Sequence, residues 1–297
     1  MDRRIRLWSM GGIPLAGAAA AAWILFNAPG RMKFPAATKA ASAAPGVVSS
    51  PVVESPASVP THTKSSHEGK TGDAAPVALR ALPAGESLEF TAHVSKLSNV
   101  ASLRVLVADR RSFLGRPVWH LQAFAHTQNP LRMVFALDDQ FDSYSDAATL
   151  ASLQYELHLN ERGQKVDSIL RMTTGKEPPP ADATAARVLP GTRDPLGLLQ
   201  FLRTVDWPKT PELRCPVFDG HKLYEVLVKP SGTSESVSVP AGDFSATKVE
   251  VQVFHEGAEV KDAHFSLYLA NTAARTPVLL EAVLPFATAR VELLRSQ

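Results

Sequence analysis

The chain has 297 residues, with 31 Lys and Arg against 29 Asp and Glu, a formal net charge of +2, 45% hydrophobic residues and one cysteine. That length gives room for one large or two small domains. The near-neutral balance argues against a nucleic-acid binder, which carries a clustered basic face, and the lone Cys215 excludes an intramolecular disulfide framework and any multi-cysteine zinc or iron–sulfur site.

Residues 1–27 form the first predicted element. No charged residue lies between Arg6 and Arg31, and Trp8 to Phe26 is apolar except for Ser9. At a rise of about 1.5 Å per residue, such a helix reaches roughly 28 Å, close to the hydrocarbon thickness of a bilayer. Arg3, Arg4 and Arg6 precede it, so the positive-inside rule places the N-terminus in the cytoplasm and the rest of the chain across the membrane. Two readings stay open: a retained transmembrane anchor, and a secretory signal cleaved near Ala41-Ser42-Ala43. No Cys follows the segment to carry a lipid, which excludes a lipoprotein anchor.

Residues 28–84 read as a disordered tether. Pro29, Pro35, Pro45, Pro51, Pro56, Pro60, Pro76 and Pro83 are spread through Ala, Ser, Thr and Val, with Phe34 the only aromatic. This composition buries too little apolar surface to offset its ordering entropy, and its prolines keep it semi-extended.

Residues 85–297 read as a β-rich domain. Leu88, Phe90, Ala92 and Val94 alternate with Glu89, Thr91 and His93. The same period of two recurs at Leu103/Val105/Val107, Trp119/Leu121/Ala123, Leu153/Tyr155/Leu157/Leu159, Tyr224/Val226/Val228, Val249/Val251/Val253 and Phe265/Leu267/Leu269. Such alternation marks antiparallel strands with one wet and one buried face. Asn160-Glu161-Arg162-Gly163 predicts a hairpin turn. A Pro-rich loop around Pro178-Pro179-Pro180 interrupts the pattern, as does the segment Asp194 to Arg203. The latter predicts a helix, with Asp194 as N-cap, Pro195 at its first position, and Leu198, Leu199, Leu202 and Val205 on one face. One short helix among roughly ten to twelve strands predicts a mainly β fold: a large curved antiparallel sheet, or open half-barrel, around that helix.

Four segments then stand out in order: Arg193-Asp194-Pro195-Leu196 with Leu202-Arg203; Pro216-Val217-Phe218-Asp219-Gly220-His221-Lys222-Leu223-Tyr224; Val239-Pro240-Ala241-Gly242-Asp243-Phe244; and Pro277 to Leu284 followed by Pro285-Phe286. Together they resemble the uncharacterised bacterial envelope family known as domain of unknown function 3108, over roughly Gly85–Leu294. The resemblance implies a shape similar to the half-barrel lipoprotein carriers of the periplasm, and it brings no catalytic residues. Many relatives carry a plain signal peptide, whereas this chain has a long apolar segment and a long tether. On their own chemistry Asp194, Pro195, Asp219, Gly220, Tyr224, Pro240 and Gly242 read as cap, turn and packing residues: Gly220 after Asp219 offers a tight turn into a Lys222–Lys229 strand, and Pro240-Ala241-Gly242 sets the register of a Phe244–Phe254 strand.

Catalytic signatures are sparse. There is no Gly-x-Ser-x-Gly elbow, Walker loop, Gly-x-Gly-x-x-Gly or His-Glu-x-x-His, and Ser245-Ala246-Thr247-Lys248 matches Ser-x-x-Lys on a strand where a helix is required. His120 and His126, six apart on one strand face with Gln122 between them, could begin a zinc site with His93, His158 or His264, or be plain hydrogen-bonded histidines. Cys215 with Asp219 and His221 invites a cysteine–histidine reading, with Arg214 lowering the thiol pKa; a small buried hydrophobe is the other reading. Phe90, Trp119, Phe124, Phe201, Tyr224 and Phe265 are candidates to line an apolar pocket inside the sheet, or to be ordinary core.

The expectation is a non-enzymatic exported protein of the bacterial envelope without a cofactor or bound metal. It would be held in the inner membrane by one span with its domain in the periplasm, or be released there after cleavage. Expected partners are a lipidic or apolar component or another envelope protein, not nucleic acid. The alternatives are an assembly factor and a metal- or thiol-dependent hydrolase.

Overall fold

A computed structural model describes residues 82–175, 180–260, 264–284 and 287–297. The predicted anchor and nearly all of the tether therefore lie outside the described residues, as do most of the Pro178-Pro179-Pro180 loop and Pro285-Phe286. No helix among the described residues is long and apolar enough to cross a membrane.

Seven strands come first: β1 (Ser87–Val94), β2 (Leu97–Phe113), β3 (Arg116–Thr127), β4 (Asp138–Asp146), β5 (Ser152–Glu161), β6 (Gln164–Thr173) and β7 (Thr184–Arg187). One helix, α1 (Pro195–Thr204), follows. The second run is β8 (Leu213–Phe218), β9 (Leu223–Val239), β10 (Gly242–His255), β11 (Ala258–Glu259), β12 (His264–Ala270), β13 (Pro277–Leu284) and β14 (Ala287–Ser296). All join one sheet in the order β7-β6-β5-β4-β3-β2-β1-β14-β13-β12-β10-β9-β8, with β11 beside β10. Two meanders are thus sewn together where β1 pairs antiparallel with β14; among the described strands, β6 and β7 alone run parallel.

The alternation sets which face is buried. Leu88, Phe90, Ala92 and Val94 of β1, Leu121 and Ala123 of β3, and Tyr155, Leu157 and Leu159 of β5 all enter one continuous core. Fourteen strands exceed the ten to twelve expected, partly because β4, DDQFDSYSD, carries too many polar residues to read as a strand. β9 also runs on past Lys229 to Val239: Pro230-Ser231-Gly232 looks like a terminus, but the β9–β10 register shifts there between Thr247 and Val249. A bulge is where a strand tolerates proline.

The sheet curls around α1 without closing. Edge strands β7 and β8 do not pair with each other. The approach to the helix spans the gap instead: Ser152 N–H donates to Thr192 C=O at 3.0 Å, and Phe218 N–H to Arg193 C=O at 2.9 Å. On the same seam Gly220 (φ +100°) sits so close to β5 that a Cβ there would lie 3.1 Å from Leu157. That backbone strains any other residue, and the Leu157 methyls would have to give way to its Cβ.

Candidate functional site

The helix owes its place to the residues at its two ends. Asp194 caps it by accepting from Gly197 N–H at 2.8 Å, and its other oxygen accepts from Ser143 Oγ at 2.5 Å. Ser152 Oγ in turn accepts from the Asp194 backbone at 2.8 Å. Burial pushes the Asp194 carboxyl up from its ordinary value, against the pull of those same bonds. Gly197 lets the helix approach: a Cβ would sit 2.9 Å from Ser152 Oγ, 3.0 Å from Ser145 Oγ and 3.2 Å from the Leu150 carbonyl. At the other end Arg203 is clamped to Glu86 at 2.5 and 2.7 Å. Just before the helix, buried Arg193 lays its guanidinium 3.5 Å from the centroid of the Phe201 ring and donates to the Thr149 carbonyl.

Fixed in this way against β3–β5, the helix turns Leu198, Leu199 and Leu202 toward the other half of the sheet, and a cleft remains between them. Its walls are Val217, Tyr224, Val226, Val251, Val253, Val260, Phe265, Leu267 and Leu280, with Asp219 at the turn after β8. The space is about 700 Å³ when its open mouth is included, but the walls leave little of it wide enough to take even a water molecule. It is therefore slim as well as apolar. Asp219 and Tyr224 are its polar residues. Asp219 Oδ1 accepts from the backbone N–H groups of His221 and Lys222, both at 2.7 Å. Tyr224 meets the His255 ring edge-on; burial, then the Asp219 charge, raises its phenol to about 12, so it stays a hydrogen-bond donor.

Of the six aromatic candidates, Tyr224 and Phe265 line this cleft. Phe90 and Phe201 are core, and Trp119 packs half-buried against the core. Phe124 is misplaced by the sequence reading: it alternates out of phase with Leu121, Ala123 and Ala125 and lies on the outer face, under Arg104 at 4.9 Å. The apolar helix residues and the valines of β9 and β10 were missed as lining; their signal was the helix face itself, read only as core.

The histidines do not converge as sketched. Six strand residues separate His120 from His126 by about 20 Å, and each pairs with a different carboxylate of β4. His126 bonds Asp138, which Arg132 also holds, while His120 Nε2 lies 2.7 Å from Asp142 Oδ1. His93 lies beside Glu292 and His264 is exposed. His158, however, does fall next to the His120 group, through Asp142 and Glu156, on the outer face of β3–β5. Burial opposes charge on Asp142, but bonds from His120, Gln140 and Gln122 outweigh it and hold the carboxyl below its usual range. Neither β4 nor these carboxylates were singled out in the sequence.

The cysteine reading fails on geometry. Cys215 faces inward in mid-strand, and His221 is exposed at the next turn. Arg214 pairs with Glu225 at 2.8 Å, away from the thiol; Arg193 is the cation beside Cys215, and burial still pushes the thiol up to about 11. Ser245 and Lys248 lie on β10, where Ser245 Oγ accepts from Asn271.

A family profile described as a protein of unknown function (DUF3108) matches residues 89–294, from β1 through β14. The chain belongs to this family. No curated protein matches it. Among solved structures, the DUF3108 chain is similar to a β-barrel-like protein of another domain of unknown function, DUF1849, from Brucella abortus. The two share 10% identity over 73% of this chain and 99% of that one, at a TM-score of 0.47. It is also similar to the hypothetical protein CT021 from Chlamydia trachomatis, at 7% identity over 73% and 88% of the two chains and a TM-score of 0.35.

Proposed function

We propose that this DUF3108 protein is a non-enzymatic carrier or holder of a single acyl chain in the bacterial envelope. The observation that carries the reading is the slim cleft between α1 and β8–β13, lined by Leu, Val and Phe with Tyr224 and Asp219 as its polar groups. Such a space fits an unbranched hydrocarbon better than a bulky ring system. Each buried methylene contributes about 0.8 kcal/mol, and association costs about 4 kcal/mol or more. A chain of about fifteen carbons buried along its length thus reaches roughly micromolar affinity. The Tyr224 hydroxyl then offers a donor to an ester or carboxylate oxygen at the head of the chain. The arginine-flanked apolar N-terminal segment supports export, with the domain on the far side of the inner membrane.

Titrating the full-length protein with a fluorescent fatty acid tests this. Saturable one-to-one binding is expected, weakened tenfold or more in Leu199→Trp and Val251→Trp, which fill the half-buried mouth of the cleft. Absence of saturable binding, or equal binding by the filled variants, sinks the reading and moves the weight to a protein-assembly role.

A further inference from the structure

We propose that Asp142, Glu156 and His158 form a binding site for one divalent transition-metal ion of the zinc class on the outer face of β4 and β5, independent of the apolar cleft. Each offers one ligand atom, and the three atoms lie within 4.8 Å of one another. The register makes the cluster: Asp142 stands directly opposite Glu156, and Gln140 opposite His158. Two carboxylates facing each other across a pair of strands repel, and a cation between them removes that cost.

The surrounding groups hold the ligands as a metal site requires. Gln122 and His120 donate to Asp142 Oδ1, at 2.8 and 2.7 Å, and Gln140 to Oδ2 at 2.7 Å. Gln154 donates to Glu156 Oε1 at 2.5 Å. His158 Nδ1 is 2.8 Å from the Asp167 carboxylate, while its Nε2 faces Glu156 Oε2 at 3.4 Å. A carboxylate on one imidazole nitrogen, with the other nitrogen turned to the cluster, is the arrangement that orients a metal-bound histidine. Tetrahedral zinc with bonds of about 2.0–2.1 Å places its ligands about 3.3 Å apart, so the His158–Glu156 spacing already fits and Asp142, within 4.8 Å of both, closes in by at most about 1.5 Å.

A second feature lies beside the cluster and is unexplained by the strand pairing alone. His120 is 7% exposed, and its Nδ1 has no hydrogen-bond partner. Its other nitrogen is spent on Asp142 Oδ1, and its ring is stacked on Tyr144. A buried imidazole left with an idle nitrogen is costly; the nitrogen it turns to the cluster is the bonded Nε2. Access is open, since the His158 side chain is 35% exposed against 6% for Asp142. One imidazole and two carboxylates without a thiolate favour Zn²⁺ or a neighbouring divalent ion over Cu(I).

The test uses the full-length protein stripped with chelator and titrated with zinc chloride alone by calorimetry and thermal melting. One equivalent is expected to bind saturably, raising Tm by about 5–10 °C at a hundredfold excess over Kd. His158→Ala and the near-isosteric Glu156→Gln lose that rise, Asp167→Asn weakens binding about 10–100-fold, and His126→Ala keeps it. Circular dichroism shows that Glu156→Gln is folded should His158→Ala prove not to be. Absence of saturable zinc binding, or undiminished binding by Glu156→Gln and His158→Ala, overturns the site. Fatty-acid binding is read separately on the same samples, so failure of the metal site and failure of the cleft are distinguishable.

Discussion

At residue scale, the buried Cys215 and Gly197 show how position overrides residue type. A free cysteine suggests reactivity, yet burial pushes its thiol up to about 11 despite the Arg193 guanidinium beside it. The unfolded thiol ionises near 9.0, so between pH 9 and 11 the unfolded chain binds fewer protons than the native one. Stability then falls as pH rises through that window and is unaffected by this group below it. A Cys215→Ala or Cys215→Ser variant flattens this part of a denaturant-derived stability curve, and native protein at pH 8 reacts slowly with iodoacetamide. Gly197→Ala sets two terms against each other. Helix propensity gains up to about 1 kcal/mol, while overpacking against two serines and a carbonyl within 3.2 Å costs about 1–3 kcal/mol. Because one of those neighbours is backbone, the clash wins: urea melts are expected to show a net loss of about 1–2 kcal/mol.

At the scale of elements, α1 was the most legible part of the sequence. Asp194-Pro195 announced the cap and first turn, and the cap bond to Gly197 is present. Its socket was not legible, because Ser143, Ser145 and Ser152 face inward from β4 and β5, strands whose register no local pattern gives. Losing the Asp194 carboxyl removes a cap and leaves the buried Ser143 hydroxyl with Ser145 as its partner, so Asp194→Ala is expected to destabilise by about 1–3 kcal/mol. The strands with apolar alternation were legible for the same reason that the helix was. β4 was not, since its buried face carries Asp139, Ser143 and Ser145 beside Phe141, which erases the apolar alternation, and its outward Tyr144 is stacked with Phe113 and His120. The outer-face cluster depends on that strand and its register, which is why His158 looked like a loose histidine.

At the scale of the whole molecule, contacts between distant residues hold the open sheet in its curl. Arg203 and Glu86 are 117 positions apart and join the helix to the start of β1. With the Arg203 side chain only 1% exposed, removing its partner leaves a charge buried and unpaired, a change that costs about 3–5 kcal/mol. Glu86→Ala is expected at the lower end in a denaturant titration, because Gln200 and the Ala274 carbonyl still accept from the guanidinium. The helix held in this way keeps the cleft slim but open, and the acyl-chain reading rests on that gap. Native mass spectrometry of the full-length protein, taken gently from its own host's envelope, tests it most directly. A stoichiometric lipid-sized mass that is lost in Leu199→Trp is predicted. A bare protein mass that takes up no added fatty acid would contradict it.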